Sequence, residues 1–318
     1  MIRARWQAGA CAAMVAAAIG ASGCGAIKGA AIKNVASTLS SGGSSTLMTD
    51  DDPELVRRAI PFGLKLYESL LESVPKHVPL LVTTCSGYTG YAYAFLETDA
   101  AVMNPDDHHD EIQALRAEAV KLYLRGKGFC MRAMELRFPG ITDPLLKDPK
   151  AALKKVTSKD DVPLLYWTAA SWGAAMSLRK DPDLVIDFPV VRALVERGLE
   201  LEETWDKGSL HELMLALDAQ GPIYGGSEES ARKHFARAIE LRQGLSAGPY
   251  VSLAEGVERP KDNRDGYETL LNQALAIDPN KDLSIRLLNI ISQKRAKALL
   301  DRKSTRLNSS HVSESRMP

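Results

Sequence analysis

Two short runs of polar residues carry side chains that could bind an ion. Residues 106–111 read Asp-Asp-His-His-Asp-Glu, which are the ligand types of a metal site. Adjacent histidines diverge by about 100° on a helix, however, so one helix face cannot present both. We therefore interpret this run as the solvated, acidic start of a helix. Residues 225–227, Gly-Gly-Ser, lack the pattern of a phosphate-binding loop and follow no strand, so we predict that Ser227 caps a helix.

The adjacent residues His211 and Glu212 could form an acid–base pair on paper. Neighbouring positions on a helix point in different directions, and no nucleophile or third member accompanies them. We therefore predict no catalytic residues, no cofactor and no metal site. A hydrolase built on this chain has no supporting residues, and we do not expect an enzyme.

Two aromatic-rich segments are the candidates for a ligand site. Core packing is the default expectation for any one of these side chains, because aromatic residues bury large apolar areas. If the helices enclose a ligand channel, we expect its lining to come from these two segments. The candidate ligand-binding residues are Tyr88, Tyr91, Phe95, Tyr166, Trp167 and Trp172.

The N-terminal segment has the features of a secretory signal. Arg3 and Arg5 precede fourteen uncharged residues at 8–21, which is shorter than the roughly 20 residues of a membrane span. The sequence Ala-Ser-Gly before Cys24 resembles a bacterial lipobox, which predicts that Cys24 is lipidated and becomes the mature N-terminus. An ordinary signal peptide with a chance cysteine is the alternative. Gly25, rather than Asp, favours the outer membrane over the inner one, and we expect a periplasmic body.

The remaining cysteines are Cys85 and Cys130, since Cys11 lies in the predicted signal. An oxidising periplasm would allow these two residues to form a bridge. Both lie in helical patterns among apolar neighbours, and buried free cysteines behave as small hydrophobic residues. We favour two separate core thiols over a disulfide.

Composition indicates a globular helical protein. The 318 residues include 45% hydrophobic and 25% charged residues, with 40 basic and 40 acidic side chains. Without residues 1–24 and 303–318, the body has 35 basic and 39 acidic residues, a net charge of −4. This balance argues against a nucleic-acid binder, which usually shows a basic excess.

Hydrophobic periodicity predicts helices throughout the body. An Asp-rich start with Pro53 at the first helical position precedes an apolar stripe at spacings of three and four. The residues of that stripe are Leu55, Ala59, Phe62, Leu66 and Leu70. Strand-like alternation of any length is absent, so we predict an all-α fold. Similar periods recur at 80–97, 110–137, 162–178, 188–203, 208–218, 228–243, 266–277 and 283–300.

Some of these helices repeat a short pattern that is typical of tetratricopeptide (TPR) repeats. Ala231, Phe235 and Ala238 fit the small–large–small spacing of a TPR second helix, and Ala274 lies in a looser copy. The intervals between copies are irregular. We predict a TPR-like helical-repeat solenoid or bundle of antiparallel helix pairs, with an irregular helical bundle as the alternative.

The chain therefore divides into four predicted segments. Residues 1–24 form the lipoprotein signal, residues 25–49 a Gly/Ser-rich flexible tether, and residues 50–302 the TPR-like domain. Residues 303–318 show no helical period and resemble translated adapter sequence. We interpret them as a non-native tail, with a native polar tail as the alternative.

Several motifs resemble those of the TRAP transporter TatT component family. The resemblance covers roughly residues 50–302. It implies a periplasmic lipoprotein with TPR-like repeats, a homotrimer with pores, and a partner that is the solute-binding protein of a TRAP (tripartite ATP-independent periplasmic) system. A hydrophobic or organic-acid ligand is also implied. The motifs lie at 50–73, 91–95, 164–167, 172–173, 210–212 and 224–235.

The function that we predict is a lipid-anchored partner of a TRAP solute-binding protein that assists uptake of an organic or hydrophobic solute. The alternative is a periplasmic TPR scaffold for envelope or outer-membrane assembly, which would bind peptides. Fold and family resemblance do not by themselves establish an activity.

Overall fold

The protein is described by a computed structural model, which covers residues 33–39, 46–179 and 186–314, with side chains as far as residue 302. Every regular element in these ranges is helical, which confirms the predicted all-α fold. Two π-helical segments, Ala92–Glu97 and Ala254–Glu258, continue α2 and α11. The helices are α1 Pro53–Ser73, α2 Val78–Tyr91, α3 Thr98–Val102, α4 His109–Arg137, α5 Thr142–Lys147, α6 Pro149–Leu153, α7 Val162–Arg179, α8 Phe188–Glu202, α9 Ser209–Asp218, α10 Glu228–Leu241, α11 Gly248–Leu253, α12 Arg264–Ala276 and α13 Arg286–Glu314.

Helix α1 begins as predicted but buries a different face. The Asp52 side chain accepts hydrogen bonds from the backbone N–H groups of the first turn, and Pro53 takes the first helical position. The buried residues are Val56, Leu64 and Leu71. The predicted stripe lies mostly on the outside, with Leu55 57%, Phe62 76% and Leu66 40% exposed.

The main core is built by helices that pack in chain order. Helix α4 packs between α2 and α7, and α8 packs on the other side of α7. Apolar residues of these helices, including Leu81, Met134, Leu165 and Leu194, are fully buried. A second core joins α9, α11, α12 and α13 around Leu271 and Ala274. Helix α13 then returns to α1 and α3, so the last helix closes against the first part of the chain.

Small residues at the repeat positions let neighbouring helices approach closely. Ala231 and Ala238 on α10 are fully buried. A Cβ added to Gly198 on α8 would lie 2.8 Å from the Leu210 side chain of α9. Small residues at helix contacts are the physical basis of the TPR pattern. The TPR-like arrangement of the whole body stays a prediction.

Cys85 and Cys130 form a disulfide, so the expectation of two separate thiols is wrong. The close packing of α2 against α4 brings their Cα atoms to 5.5 Å, which is within the usual range for a disulfide. Both cysteines are fully buried, as predicted. Burial and apolar neighbours could not distinguish a disulfide from two free thiols, because a disulfide between packed helices is also buried among apolar residues.

The two ends of the body differ from the predicted segments. A short helix covers residues 33–39 inside the predicted tether; its Ala36 is fully buried, and Ser37 Oγ lies 3.1 Å from His77 Nε2 of the α1–α2 turn. Helix α13 continues past residue 302 to Glu314, although the sequence there shows no helical period. Cys24 and the rest of the predicted signal lie outside the described residues. None of the helices in the described ranges has the length and apolar character needed to cross a membrane.

Candidate functional site

Three of the six predicted ligand-binding residues are packed in the core. Tyr88, Phe95 and Trp172 are each at most 4% exposed. The Tyr88 hydroxyl donates a hydrogen bond to Glu68 Oε1 at 2.8 Å. Lys127 places its ammonium 3.4 Å from the centre of the Trp172 ring. These three side chains have protein partners on most sides and support the surrounding helices.

The other three aromatic residues are only half-buried. Tyr91 lies beside Phe95, with ring centres 5.4 Å apart. The Tyr166 ring lies 4.9 Å from the ring of its neighbour Trp167 and 4.9 Å from the ring of Trp205. The structure therefore brings Tyr166 and Trp167 into one aromatic group with Trp205, a residue that the sequence analysis did not select.

The first π-helical segment places further polar side chains toward the interior. The turn at Ala92–Glu97 is wider than an α-helical turn, and the Thr98 hydroxyl donates to the carbonyl oxygen of Tyr93 at 3.2 Å. This change of period rotates Tyr93 and Glu97 relative to the face that a regular helix would bury. Single π-helical turns are frequent at functional sites.

Tyr93 is partly exposed to solvent and lies among charged side chains. The residue is 38% exposed, and burial by the surrounding protein raises its pKa. We call the residues whose pKa values and charges are linked in this way the inner polar group. They are Tyr93, Glu97, Tyr166, Glu212, Glu255 and Arg295.

The pKa shifts connect these side chains electrostatically. After burial, the charges that act on the pKa of Tyr93 are Arg295, which lowers it, and Glu97, Glu212 and Glu255, which raise it. Burial also raises the pKa of Tyr166, and Glu212 raises it further. The residues of the inner polar group therefore come from both π-helical segments and from α7, α9 and α13, which no single stretch of sequence would reveal.

Among the described residues, Glu255 is the carboxylate of the inner polar group that forms an ion pair. Arg295 Nη2 donates to Glu255 Oε2 at 2.7 Å. The Tyr123 hydroxyl donates to the Glu97 carboxylate, and the Ser246 side chain lowers the pKa of Glu212. Burial raises the pKa of both Glu97 and Glu212, because the charged form loses hydration.

Two clefts lie on the described part of the chain, away from the inner polar group. One, of about 310 Å³, is bordered by His211, His234, Glu203 and Arg237. In it, His211 Nδ1 lies 2.8 Å from His234 Nδ1, and His211 Nε2 lies 3.2 Å from Glu203 Oε1. The other, of about 480 Å³, is bordered by α10, α12 and the second π-helical segment. Three of its polar side chains already have partners, since Arg232 pairs with Glu258 at 2.6 Å and Asn263 donates to Glu258 at 2.5 Å.

The remaining sequence predictions about polar motifs are confirmed. Residues 106–111 are exposed where α4 begins. Ser227 caps α10, with its hydroxyl accepting from the Ser230 backbone N–H at 3.1 Å. His211 and Glu212 diverge, since His211 pairs with His234 of α10 whereas Glu212 Oε2 lies beside Gly248 of α11.

Sequence comparison identifies a matching protein family and a similar protein. A family model described as the TRAP transporter T-component matches residues 49–306. An uncharacterized protein of Treponema pallidum (strain Nichols) is 31% identical over 255 residues, which cover 79% of each chain. Both matches span most of the helical body described above.

Proposed function

Because the chain belongs to the TRAP transporter T-component family, we propose that it partners the periplasmic solute-binding protein of a TRAP uptake system. A T-component is a transport-associated protein, and this membership gives the chain a TRAP-associated role. We further propose that contact with this partner assists uptake of an organic or hydrophobic solute.

The family match over residues 49–306 is the observation that carries this proposal. A protein that assists solute transfer also needs a solvent-accessible site lined by groups able to contact a small molecule. We place that site at the inner polar group, where Tyr93 is 38% exposed. Of the predicted ligand-binding residues, Tyr166 belongs to this group and packs against Trp167, and Tyr91 lies beside the first π-helical segment. Tyr88, Phe95 and Trp172 would act indirectly, by supporting those helices.

We also propose that the protein is held in the periplasm by a lipid on Cys24, in the outer membrane. The signal-like segment at 1–24 and Gly25 support this location. Replacing Cys24 with Ser should move the protein from the membrane fraction to the soluble periplasmic fraction. Retention in the membrane fraction would remove the lipid anchor from the proposal.

A homotrimer built from TPR-like protomers completes the proposed assembly. Leu55, Phe62 and Leu66 form an exposed apolar face on α1, and apolar surface of this kind is usually covered in an assembly. Light scattering of the mature protein should give three times the mass of one chain. A monomer at about 100 μM would contradict the homotrimer without affecting the solute-binding partner.

We propose no catalytic activity. His211, the residue most suited to proton transfer, is engaged by His234 and Glu203, and in the described part of the chain no Ser, Thr or Cys side chain hydrogen-bonds it as an activated nucleophile would. The transport-associated role of the family agrees with a binding function.

A pull-down from periplasmic extract tests the proposed partnership. The mature chain, tagged at its C-terminus, should recover a TRAP solute-binding protein that mass spectrometry identifies. Recovery of outer-membrane assembly factors without that protein would favour an envelope scaffold instead. A tagged periplasmic protein of similar charge and no TRAP role serves as the control for non-specific capture.

A further inference from the structure

The short helix at residues 33–39, inside the predicted tether, is docked on the turn between α1 and α2. We propose that this helix, which we call the clasp helix, shortens the membrane tether at neutral pH and is released in mild acid. The inference rests on the proposed lipid at Cys24, because the length of the tether matters only if the N-terminus is anchored. It follows from the burial of the clasp helix and from the hydrogen bonds that join it to His77.

Burial and a hydrogen bond hold the clasp helix on the body. Ala36 is fully buried and belongs to the main core. Ser37 Oγ lies 3.1 Å from Nε2 of His77, a residue that is itself only 9% exposed. A helix of seven residues is too short to be stable alone in water. The clasp helix therefore depends on its contacts with the body.

The hydrogen bonds of His77 determine its protonation state. The Leu80 backbone N–H donates to His77 Nδ1 at 3.1 Å, so this nitrogen carries no proton. The other nitrogen, Nε2, carries the proton of the neutral ring and donates it to Ser37 Oγ. The Ser37 hydroxyl in turn donates to the Lys33 carbonyl oxygen at 2.9 Å. The docked arrangement therefore requires a neutral His77.

A proton on His77 Nδ1 is incompatible with this arrangement. Two N–H groups would then face each other, at His77 and Leu80, and α2 would lose its N-cap. Burial of the ring, and then the positive charge of Lys33, lower the pKa of His77. Arg132 of α4, which donates to the Pro75 carbonyl at 3.2 Å, is a second cation beside this turn. In the described part of the chain no acidic side chain hydrogen-bonds the His77 ring, so the docked state opposes its protonation.

Acid should therefore shift the clasp helix from docked to released. A histidine in contact with water takes up a proton near pH 6.5, whereas the docked His77 resists it. Docking is strongest above about pH 7.5 and weakens as pH falls below about 6.5. While the docked ring stays neutral, the ratio of docked to released molecules should decrease about 10-fold between pH 7.5 and pH 5.5.

Release would lengthen the tether. With the clasp helix docked, residues 25–32 separate Cys24 from the body and can span at most about 30 Å. After release the free segment is 25–45, because Leu47 and Met48 pack on a separate apolar core. This longer segment can span at most about 75 Å. The clasp helix would thus set how far the body can stand from the membrane.

Hydrogen exchange followed by mass spectrometry tests the inference. The mature chain with Cys24→Ser would be compared at pH 7.5 and pH 5.5, with each rate expressed as protection relative to the free peptide at the same pH. Protection of residues 33–39 should be about 10-fold lower at pH 5.5. It should also be lower than the protection of α4 at both pH values, because a local opening is easier than global unfolding. Protection of 33–39 that is independent of pH, or equal to that of α4, would overturn the inference.

Three variants assign the effect to the contact between His77 and Ser37. His77→Asn keeps a good N-cap residue but does not titrate, and its shorter side chain loses the contact with Ser37. It should lower protection of the clasp helix by about 3- to 10-fold at pH 7.5 and remove the pH dependence. Ser37→Ala should cause a similar loss at pH 7.5. Thr38→Ala, at an exposed position of the same helix, is the matched control and should cause no loss.

Full pH dependence in His77→Asn, or equal effects of Ser37→Ala and Thr38→Ala, would contradict the assigned contact. The wild-type comparison between the two pH values remains decisive if a variant does not fold. All of these measurements use the chain without its lipid. Their failure would therefore leave the membrane fractionation of Cys24→Ser and the pull-down unaffected, so the proposals can fail separately.

Discussion

Cys85 on α2 and Cys130 on α4 are joined by a disulfide that links the first helical hairpin to the longest helix of the main core. The two cysteines are 45 residues apart in sequence, and the bridge closes that part of the chain into a loop. The bridge and the packing of α4 between α2 and α7 therefore stabilise the same part of the molecule.

Removing the bridge should lower the free energy of unfolding by about 4 kcal/mol. The reason is that the unfolded chain gains conformational entropy once a loop of this length is no longer closed by the disulfide. The double variant Cys85→Ala/Cys130→Ala avoids an unpaired thiol, and urea unfolding measures the change. Dithiothreitol should destabilise the wild-type protein by a similar amount and leave the variant unchanged. An unfolding midpoint that does not respond to the reductant would show that the bridge is absent in solution.

The contact between His211 and His234 should make stability depend on pH. Their Nδ1 atoms lie 2.8 Å apart, so the N–H of one ring donates a hydrogen bond to the unprotonated Nδ1 of the other. Burial lowers the pKa of both residues. For His211, Glu203 opposes this effect and Arg237 adds to it. For His234, Asp218 opposes it, and Lys233 and Arg192 add to it. Because the unfolded histidines bind protons at higher pH than the folded ones, stability is complete above about pH 7.5 and decreases as pH falls through about 6.5.

Melting temperature measured between pH 7.5 and 5.5 checks this prediction. His234→Gln should flatten the dependence, because only one titrating ring remains in the pair. His109→Gln, on the exposed start of α4, is the control and should keep the wild-type slope. Equal slopes for the wild-type protein and His234→Gln would contradict the assigned role.

Asp218 is a buried carboxylate at the end of α9 that joins this helix to α8 and to α10. It is 1% exposed and accepts hydrogen bonds from Arg192 Nη2 at 2.7 Å and from Ser230 Oγ at 2.5 Å. Asp218→Ala leaves the Arg192 charge without its partner and should cost about 3–5 kcal/mol in urea unfolding. Lys150, whose side chain is 75% exposed, forms an ion pair with Glu196. Lys150→Ala removes this pair and should lower the free energy of unfolding by at most about 1 kcal/mol. Similar losses for the two variants would disprove the distinction.

Labelling tests how accessible Tyr93 is. In a Cys24→Ser background, Tyr93→Cys should react with a small methanethiosulfonate reagent and resist a maleimide attached to a polymer of about 5 kDa, because Tyr93 is 38% exposed while surrounding protein raises its pKa by burial. Leu146→Cys, at a position 51% exposed on the outside, should react with both reagents. Rapid reaction of Tyr93→Cys with the polymer would place Tyr93 on the open surface.

The helices could be predicted from the sequence because their period of 3.6 residues is visible along one segment. The predicted segments at 110–137 and 162–178 correspond closely to α4 and α7. The period did not determine which face of α1 is buried. Val56 and Leu64 also share a helix face, and α2 packs against the face that they form. Leu55 and Phe62, which fit the expected stripe, are therefore exposed.

The inner polar group could be predicted only in part. Tyr166 was selected from the sequence because aromatic residues are conspicuous there, and its role as a ligand-binding residue stays a prediction. Glu97 and Arg295 were missed, since they are 198 positions apart and only the return of α13 toward α3 brings them together. The π-helical turn at Ala92–Glu97 also departs from the helical period, so the inward position of Tyr93 could not be read from spacing.

The central claim is the partnership with a TRAP solute-binding protein, and a direct affinity measurement tests it most clearly. The purified mature chain with Cys24→Ser would be titrated with the TRAP solute-binding protein of the same organism and, as a control, with a solute-binding protein of an unrelated uptake system. We predict a saturable complex with a dissociation constant of about 1–10 μM for the TRAP protein and no binding to the control. No association at about 100 μM between folded proteins, or equal binding to both, would contradict the proposed function.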